Sequence, residues 1–470
     1  LRRQRQMCIR DSVYATYNKD FGNHHFKVMA GFNQESSYQE TLDTYSYNQA
    51  VLDVPAMSSG TGTIKATDSY SEYAIRGGFF RVNYNYLDKY LLEVNGRYDG
   101  SSKFPKSSRF GFFPSVSAGW QIAQERFMNS TRHWLDGLKL RASYGVIGNQ
   151  NINPYTFTPS MSVNNKATSW IIDDTYVTSI SSLPALVSQN FTWEKVGTIN
   201  VGLDVNLFNN RLSGVFEWYQ RNTNGMLAPG VQLPAVVGAS APYQNTADMR
   251  TRGWELSLNW RDQIGKVGYR IGFNLSDYKS EIIKYDDNAA TKLLSSYYPG
   301  QTLGEIWGYV VDGYYTVDDF VDTSSWQLKE GVTSINGYNV RPGDVKFKNL
   351  RDDDTSTNVI TSGDNTFDNP GDRKVIGNTT PRYQYGINLG MNYAGFDLNV
   401  ILQGTGKRDY WISNVLTFPM NGDNFVPLFE GLSDYWMPKD PDNGDWSAVN
   451  PNAKYPRIYG NRGNSGSNLR

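Results

Sequence analysis

Thr198-Ile199-Asn200-Val201-Gly202-Leu203-Asp204-Val205-Asn206-Leu207-Phe208 alternates without a break. Ile199, Val201, Leu203, Val205 and Leu207 are apolar; Thr198, Asn200, Gly202, Asp204 and Asn206 are polar or small. A strand turns successive side chains to opposite faces, so this one has an oily face and a wet face. Its length suits the roughly 9–11 residues with which a β-strand crosses a bilayer. Asn209-Asn210 predicts a tight hairpin turn, and residues 211–221 run back before a long polar stretch. A short turn at one end and a long loop at the other, many times over, is the pattern of an outer-membrane β-barrel.

The same alternation recurs on both sides of that hairpin. Trp254, Leu256, Leu258 and Trp260 share one face of Gly253–Asp262. Tyr269, Ile271, Phe273 and Leu275 share one face of Tyr269–Ser276, and Tyr383 to Tyr393 alternates through six apolar positions. None of these segments carries the 3.6-residue period of a helix. Less regular strands are predicted over about 13–19, 24–35, 73–86, 90–100, 110–122 and 138–145. The connections then sort into two classes. Short ones fall at Asp20–Asn23, Leu87–Lys89, Asn209–Asn210, Gln263–Lys266 and Ala394–Gly395, with Ala123–Gly137 intermediate. Long ones cover about 36–72, 101–109, 146–191, 222–250, 279–381 and 405–470. The expected fold is all-β: an antiparallel transmembrane barrel.

Composition agrees with this and excludes some alternatives. The 470 residues carry a net charge of −1, so there is no basic surface for nucleic acid. Thirty-two Tyr, 22 Phe and 12 Trp make the chain aromatic-rich, yet mean hydropathy is only −0.54. No run approaches the ~18 apolar residues of a membrane helix. A barrel remains open, because half of each strand faces a polar lumen. A soluble surface glycan-binding or adhesin β protein has a similar composition and is the alternative. One cysteine, Cys8, gives no intrachain disulfide. Residues 1–12 are charged, lack an apolar stretch, and resemble a translated sequencing-adapter scar. They are set aside as non-native, which makes residues 13–470 the barrel and the chain a fragment.

Catalytic constellations are absent from the pattern, and no enzyme activity is expected. His24-His25 point to opposite faces of a strand and cannot easily share one ion; His133 is isolated. No Ser-His-Asp set, zinc spacing or phosphate-cradling loop emerges. Asp352-Asp353-Asp354, with Asp364, Asp368 and Asp372 downstream, is the metal candidate, for calcium. No other cofactor is expected. Aromatic residues fall into two groups. Trp218, Trp254, Trp260, Tyr383 and Tyr393 lie near strand ends, where barrels place their interfacial girdles. Trp170, Tyr176, Trp307, Tyr309, Tyr314, Tyr315 and Trp326 lie in long loops, where they are candidates to stack on sugar rings or to pack within the loops.

Several stretches resemble the SusC/RagA branch of the TonB-dependent outer-membrane transporters. They are Ser108-Arg109-Phe110-Gly111-Phe112-Phe113-Pro114-Ser115-Val116-Ser117-Ala118-Gly119-Trp120, Leu138 to Gly145 with Gly148-Asn149-Gln150, and Trp193-Glu194-Lys195 leading to Asn200–Asp204. Arg341-Pro342-Gly343-Asp344-Val345-Lys346-Phe347, Val375-Ile376-Gly377 ahead of Pro381-Arg382-Tyr383, and Asn450-Pro451-Asn452-Ala453-Lys454-Tyr455-Pro456-Arg457 complete the series. The acidic stretch Asn349–Asp354 departs from the family, whose relatives often carry a glycine there. The resemblance implies a barrel of about 22 strands around an N-terminal plug. About a dozen strands are visible here and the plug is not. It also implies import of oligosaccharides or peptides across the outer membrane of a Gram-negative bacterium. A SusD-like surface lipoprotein would be one partner, and TonB, acting through the missing N-terminal region, another. A lipid-embedded sheet left open would lose roughly tens of kcal/mol at its two edges, against a total stability of ~5–15 kcal/mol.

Overall fold

The computed structural model describes residues 2–51, 53, 56–161, 163–164, 171–172, 175–176, 180–181, 184–231, 233–288, 290–294, 296–335, 338–351, 358–410 and 430–458. Twelve strands form one sheet in which order in space is order in the chain. They are β1 (Arg2–Phe21), β2 (His24–Ser46), β3 (Ile64–Tyr86), β4 (Tyr90–Ser101), β5 (Phe110–Gln121) and β6 (Leu135–Asn149). The second half comprises β7 (Glu194–Leu207), β8 (Leu212–Pro229), β9 (Tyr243–Ile264), β10 (Val267–Tyr285), β11 (Arg382–Tyr393) and β12 (Phe396–Lys407). The connections alternate in length as the sequence predicts, except that 122–134 at the short-turn rim is longer than 102–109 at the opposite one. At one rim they are 22–23, 87–89, 122–134, 208–211, 265–266 and 394–395; at the other, 47–63, 102–109, 150–193, 230–242 and 286–381.

Two details differ from the sequence reading. The Asn209-Asn210 turn is four residues long, closed by the Leu207–Leu212 pair, and Phe208, Asn209 and Asn210 all have φ between 57° and 59°. Asparagine tolerates that left-handed region better than most residues. The Phe208 N–H donates to Trp134 O at 2.8 Å. Several strands also outrun their alternating cores. β2 and β3 each span 23 residues, about twice what a bilayer crossing needs, so the 36–72 loop shrinks to 47–63. Residues 2–12, set aside above, form the first half of β1, registered from Arg2↔Asp43 to Ser12↔Asn33.

Register builds the faces. Directly paired residues share a face, and one row reads Tyr86, Tyr90, Trp120, Leu140, Leu203, Phe216, Leu256, Leu275, Tyr385 across nine strands. The row is open to the surroundings: Trp120, Leu140, Phe216 and Tyr385 are 36–45 % exposed. A contiguous apolar surface of this extent has no counterpart on ordinary soluble monomers. It is the lipid-facing wall. The next row over, Ala142, Val201, Trp218, Trp254, continues it.

The opposite face is polar and cross-linked. Arg141 donates through Nε to Asp204 at 3.1 Å and through Nη2 to Glu217, so one guanidinium on β6 ties β7 to β8. Gly202 lies between them. A Cβ at 202 would fall 2.8 Å from Arg141 Cζ, so only glycine leaves the guanidinium its path. Arg97 bonds Asp99 at 2.9–3.0 Å and Arg81 bonds Asn95 at 2.8 Å on the same face. At the short-turn rim, Glu125 accepts from Tyr90 Oη at 2.8 Å, Trp120 Nε1 at 3.2 Å and Lys89 Nζ at 3.2 Å. These bonds hold its carboxyl below the usual range, and they anchor Tyr90 and Trp120 to the connection.

Ala290–Arg382 and Thr405–Arg470 group as a second compact unit. Short two-stranded ladders and 3-10 turns build it. Glu305–Tyr309 pairs with Arg373–Asn378, and Val311–Tyr314 with Val345–Phe347. Among the described residues, no helix is long and apolar enough to cross a membrane.

Candidate functional site

In barrels the working segments leave from the long-connection rim. At that rim the bases of two loops are fixed by an aromatic core. Phe104, Phe113, Phe191 and Trp193 are buried together, with Val146, Ile152, Phe157 and Leu227 packed against them. Trp193 Nε1 donates to Arg109 O at 2.9 Å, and Thr192 Oγ1 donates to Ser108 O at 2.8 Å. Glu194 is buried and accepts the Leu227 N–H at 2.8 Å and the Asn149 amide at 2.5 Å. The Trp193-Glu194-Lys195 motif is thus a bracket between the 102–109 and 150–193 connections and strands β6 and β8.

The second unit contains five of the seven aromatic candidates, and it uses them in different ways. Tyr315 is fully buried in a core with Phe320 and Val340; its hydroxyl donates to Thr333 O at 2.6 Å. Burial pushes that phenol up to about 12. Tyr309 and Tyr314 pack against a second core of Val345, Phe347 and Ile360. Burial raises both phenols, and Tyr314 Oη donates to Ala453 O at 3.1 Å. Trp307 is half-buried, with Nε1 donating to Tyr298 Oη at 2.9 Å and Glu305 Oε1 at 2.8 Å; the Tyr298 hydroxyl donates to the same carboxylate. Trp326 is half-buried at φ 55°, a left-handed backbone rare for a bulky residue. It meets Phe320 edge-to-face at 5.3 Å and Trp446 at 5.1 Å, with the Arg341 guanidinium 5.2 Å from its ring centre.

The structure therefore gathers Tyr309, Tyr314, Tyr315 and Trp326 around two adjoining small cores that share Ile335, and leaves Trp307 in a separate hydrogen-bonded cluster. Trp170 and the Tyr176 side chain lie outside the described residues. So do Asp352, Asp353 and Asp354. The flanks of that acidic stretch are held by Asp372, which is fully buried and accepts the N–H groups of Leu350 at 2.8 Å, Arg351 at 3.3 Å and Thr361 at 2.8 Å. Among the described residues, no group of three or more His, Cys, Asp or Glu side chains is placed to hold a metal. His24 and His25 face apart: His24 Nδ1 pairs with Tyr84 Oη at 2.9 Å, and His25 Nδ1 with Asp20 Oδ1 at 2.7 Å. Sequence reasoning passed over Trp446, whose only local cue is the turn Pro441-Asp442-Asn443-Gly444 just before it.

Comparison with known proteins gives the same architecture. Residues 5–455 match the family described as TonB dependent receptor-like, beta-barrel. TonB-dependent receptor P3 of Formosa agariphila is 29% identical over 412 residues, 83% of this chain and 38% of that protein. TonB-dependent receptor SusC of Bacteroides thetaiotaomicron is 31% identical over 281 residues, 58% of this chain and 27% of SusC. The chain thus spans about two-fifths of the first of these and less of the second. A structure of the RagAB peptide transporter superposes with a TM-score of 0.75 at 22% identity, covering 98% of this chain and 47% of that one, which speaks to the fold. An oily outer face, a polar inner face, alternating connections and this match over most of the length lead to one assignment: the chain belongs to the TonB dependent receptor-like β-barrel family of the outer membrane.

Proposed function

We propose that the whole protein imports oligosaccharides, or peptides, across the outer membrane, with energy delivered through TonB. A SusD-like surface lipoprotein is its proposed partner at the outer rim. The observation that carries this reading is the division of labour in the fold. A two-faced sheet sends its three longest connections, 47–63, 150–193 and 286–381, out at one rim, and the longest of them contributes to a unit with aromatic side chains of its own. The relatives add weight: one is the TonB-dependent receptor SusC, and a structure of similar fold is that of the RagAB peptide transporter. Import makes and breaks no covalent bond, so no catalytic residue is assigned. Trp307 and Trp326, both half-buried, are the proposed ligand contacts of the loops, with Trp170 and Tyr176 on the 150–193 connection. Tyr309, Tyr314 and Tyr315 support them from the cores beneath. A calcium ion at Asp352–Asp354 is proposed as a loop brace held between the flanks that Asp372 fixes.

The test is uptake by cells carrying the full-length gene. Labelled neutral and uronic-acid hexasaccharides and a peptide library are offered with and without a functional TonB. Accumulation that requires both the gene and TonB supports the reading. Full-length protein recovered in the soluble fraction, or uptake indifferent to TonB, sinks it. If peptides alone enter, the peptide branch stands and the saccharide branch falls.

A further inference from the structure

Two segments 113 residues apart in the chain meet at a buried ion pair in the second unit. Asp344, in Arg341-Pro342-Gly343-Asp344, is fully buried. Arg457 donates to it through Nε at 3.3 Å and through Nη2 at 3.1 and 3.4 Å. Carboxylate oxygen Oδ2, which takes the longest of those bonds, also accepts the Arg341 N–H at 2.7 Å, so the charge is also fixed to its own turn. Backbone bonds run alongside: Arg457 N–H to Gly343 O at 2.9 Å, Gly343 N–H to Tyr315 O at 2.8 Å, and Trp436 N–H to Tyr455 O at 2.9 Å. Gly343 stands at φ 88°, and a Cβ there would fall 2.3 Å from the Trp436 ring. The glycine serves both the left-handed turn and the close approach of the second segment.

The pair joins two different connections. Asp344 lies in the one between β10 and β11, and Arg457 in the stretch that follows β12. An aromatic contact crosses the same seam. The Arg457 guanidinium lies 5.7 Å from the Trp446 ring centre, and Trp446 meets Trp326 edge-to-face at 5.1 Å. Trp326 belongs to the first connection and Trp446 to the second. Both indoles are half-buried. The ion pair, the Arg457–Gly343 backbone bond and the Tyr314–Ala453 bond together join the two segments beside this aromatic seam.

We propose that Asp344 and Arg457 are positioning residues: their clasp makes two connections one body and assembles the Trp326–Trp446 seam as a sugar-contacting site. This rests on the import reading for its ligand, though not for the clasp. Removing one partner of a buried pair leaves the other charge uncompensated, which makes the contact all-or-none. Neither connection keeps its half of the seam when the other departs.

The experiment uses the full-length protein as wild type, Arg457→Ala and Arg457→Lys. Hydrogen exchange is followed at 311–347, at 434–457 and in β7–β10. In Arg457→Ala, both loop segments are expected to exchange about a hundredfold faster while the sheet keeps its protection. Affinity for the hexasaccharide probes should fall tenfold or more. Arg457→Lys keeps the charge and should recover most of both effects. Faster exchange confined to 434–457 overturns the clasp. Both segments opening with unchanged hexasaccharide affinity overturns the positioning role. A wild type that binds no hexasaccharide refutes the sugar-contacting seam, and the exchange result still decides the clasp.

Discussion

Arg141 reaches carboxylates on two neighbouring strands because position 202, between them, has no side chain. Gly202→Val is expected to push the guanidinium aside and lower stability by about 1–2 kcal/mol, read as a shift in the urea midpoint of the full-length protein. Gly78 makes the control: a Cβ there meets nothing nearer than 3.9 Å, so Gly78→Ala should leave the midpoint unchanged. Tyr315 gives a pH-dependent outcome. Its phenol ionises near 10 when unfolded and at about 12 in place, so folding favours the neutral form. Its contribution is full below pH 10 and is lost as pH rises from there through about 12. Absorbance titration at alkaline pH should show this tyrosine ionising late, together with loss of protection at 315–340, and Tyr315→Phe should remove that late step. This scale was the least legible in the sequence. A tyrosine that stacks on a ligand and one that fills a small core both appear as aromatics in a polar loop. Only the partners of Tyr315 and Tyr309 separate the two roles, and those partners come from distant positions.

At the scale of strands, the alternating rows read from the sequence are the rows that the register aligns. Leu203 and Leu256 stand in one lipid-facing row, two strands apart. Leu203→Arg and Leu256→Arg are each expected to destabilise the full-length protein by ~2–4 kcal/mol near the midplane. Asn200→Arg and Ser257→Arg, on the polar face, should be mild. Unfolding from detergent or vesicles measures both, and equal losses on the two faces would refute a lipid-facing wall. Strand ends were harder to place than strand centres, for a physical reason. Inside hydrocarbon every second residue must be apolar, so the alternation is enforced. Beyond the bilayer both faces meet water and the constraint lapses, which is how β2 runs on through Glu35-Ser36-Ser37-Tyr38 to Ser46 with polar residues on both sides. There an unbroken register with β3, the Arg10 and Tyr73 bonds to Glu35 and the Tyr38–Tyr70 ring contact sustain it.

For the whole molecule, the sheet order has two ends, β1 and β12. Backbone groups at such ends need partners when hydrocarbon surrounds them. The 470-residue chain expressed alone is therefore expected to aggregate rather than to run as a compact, heat-modifiable barrel on a gel, whereas the full-length protein should do so; a heat-modifiable band from the chain alone would contradict this. Barrel architecture was legible because it repeats, and a dozen modest signals add up. That the 279–381 connection carries structure of its own is legible in its aromatic run Leu303–Tyr315, but its internal contacts were not, since they join single residues from segments far apart, as Asp344 and Arg457 do. The four-residue turn at 208–211 has a consequence of another kind. With its three left-handed residues it sets the phase in which β8 returns beside β7. Shortening it by one residue would bring Phe216 and Trp218 back half a period out of step, oily side to the lumen and Glu217 to the lipid. Every tight turn at that rim is thus a timing element, and the bilayer itself reads the error.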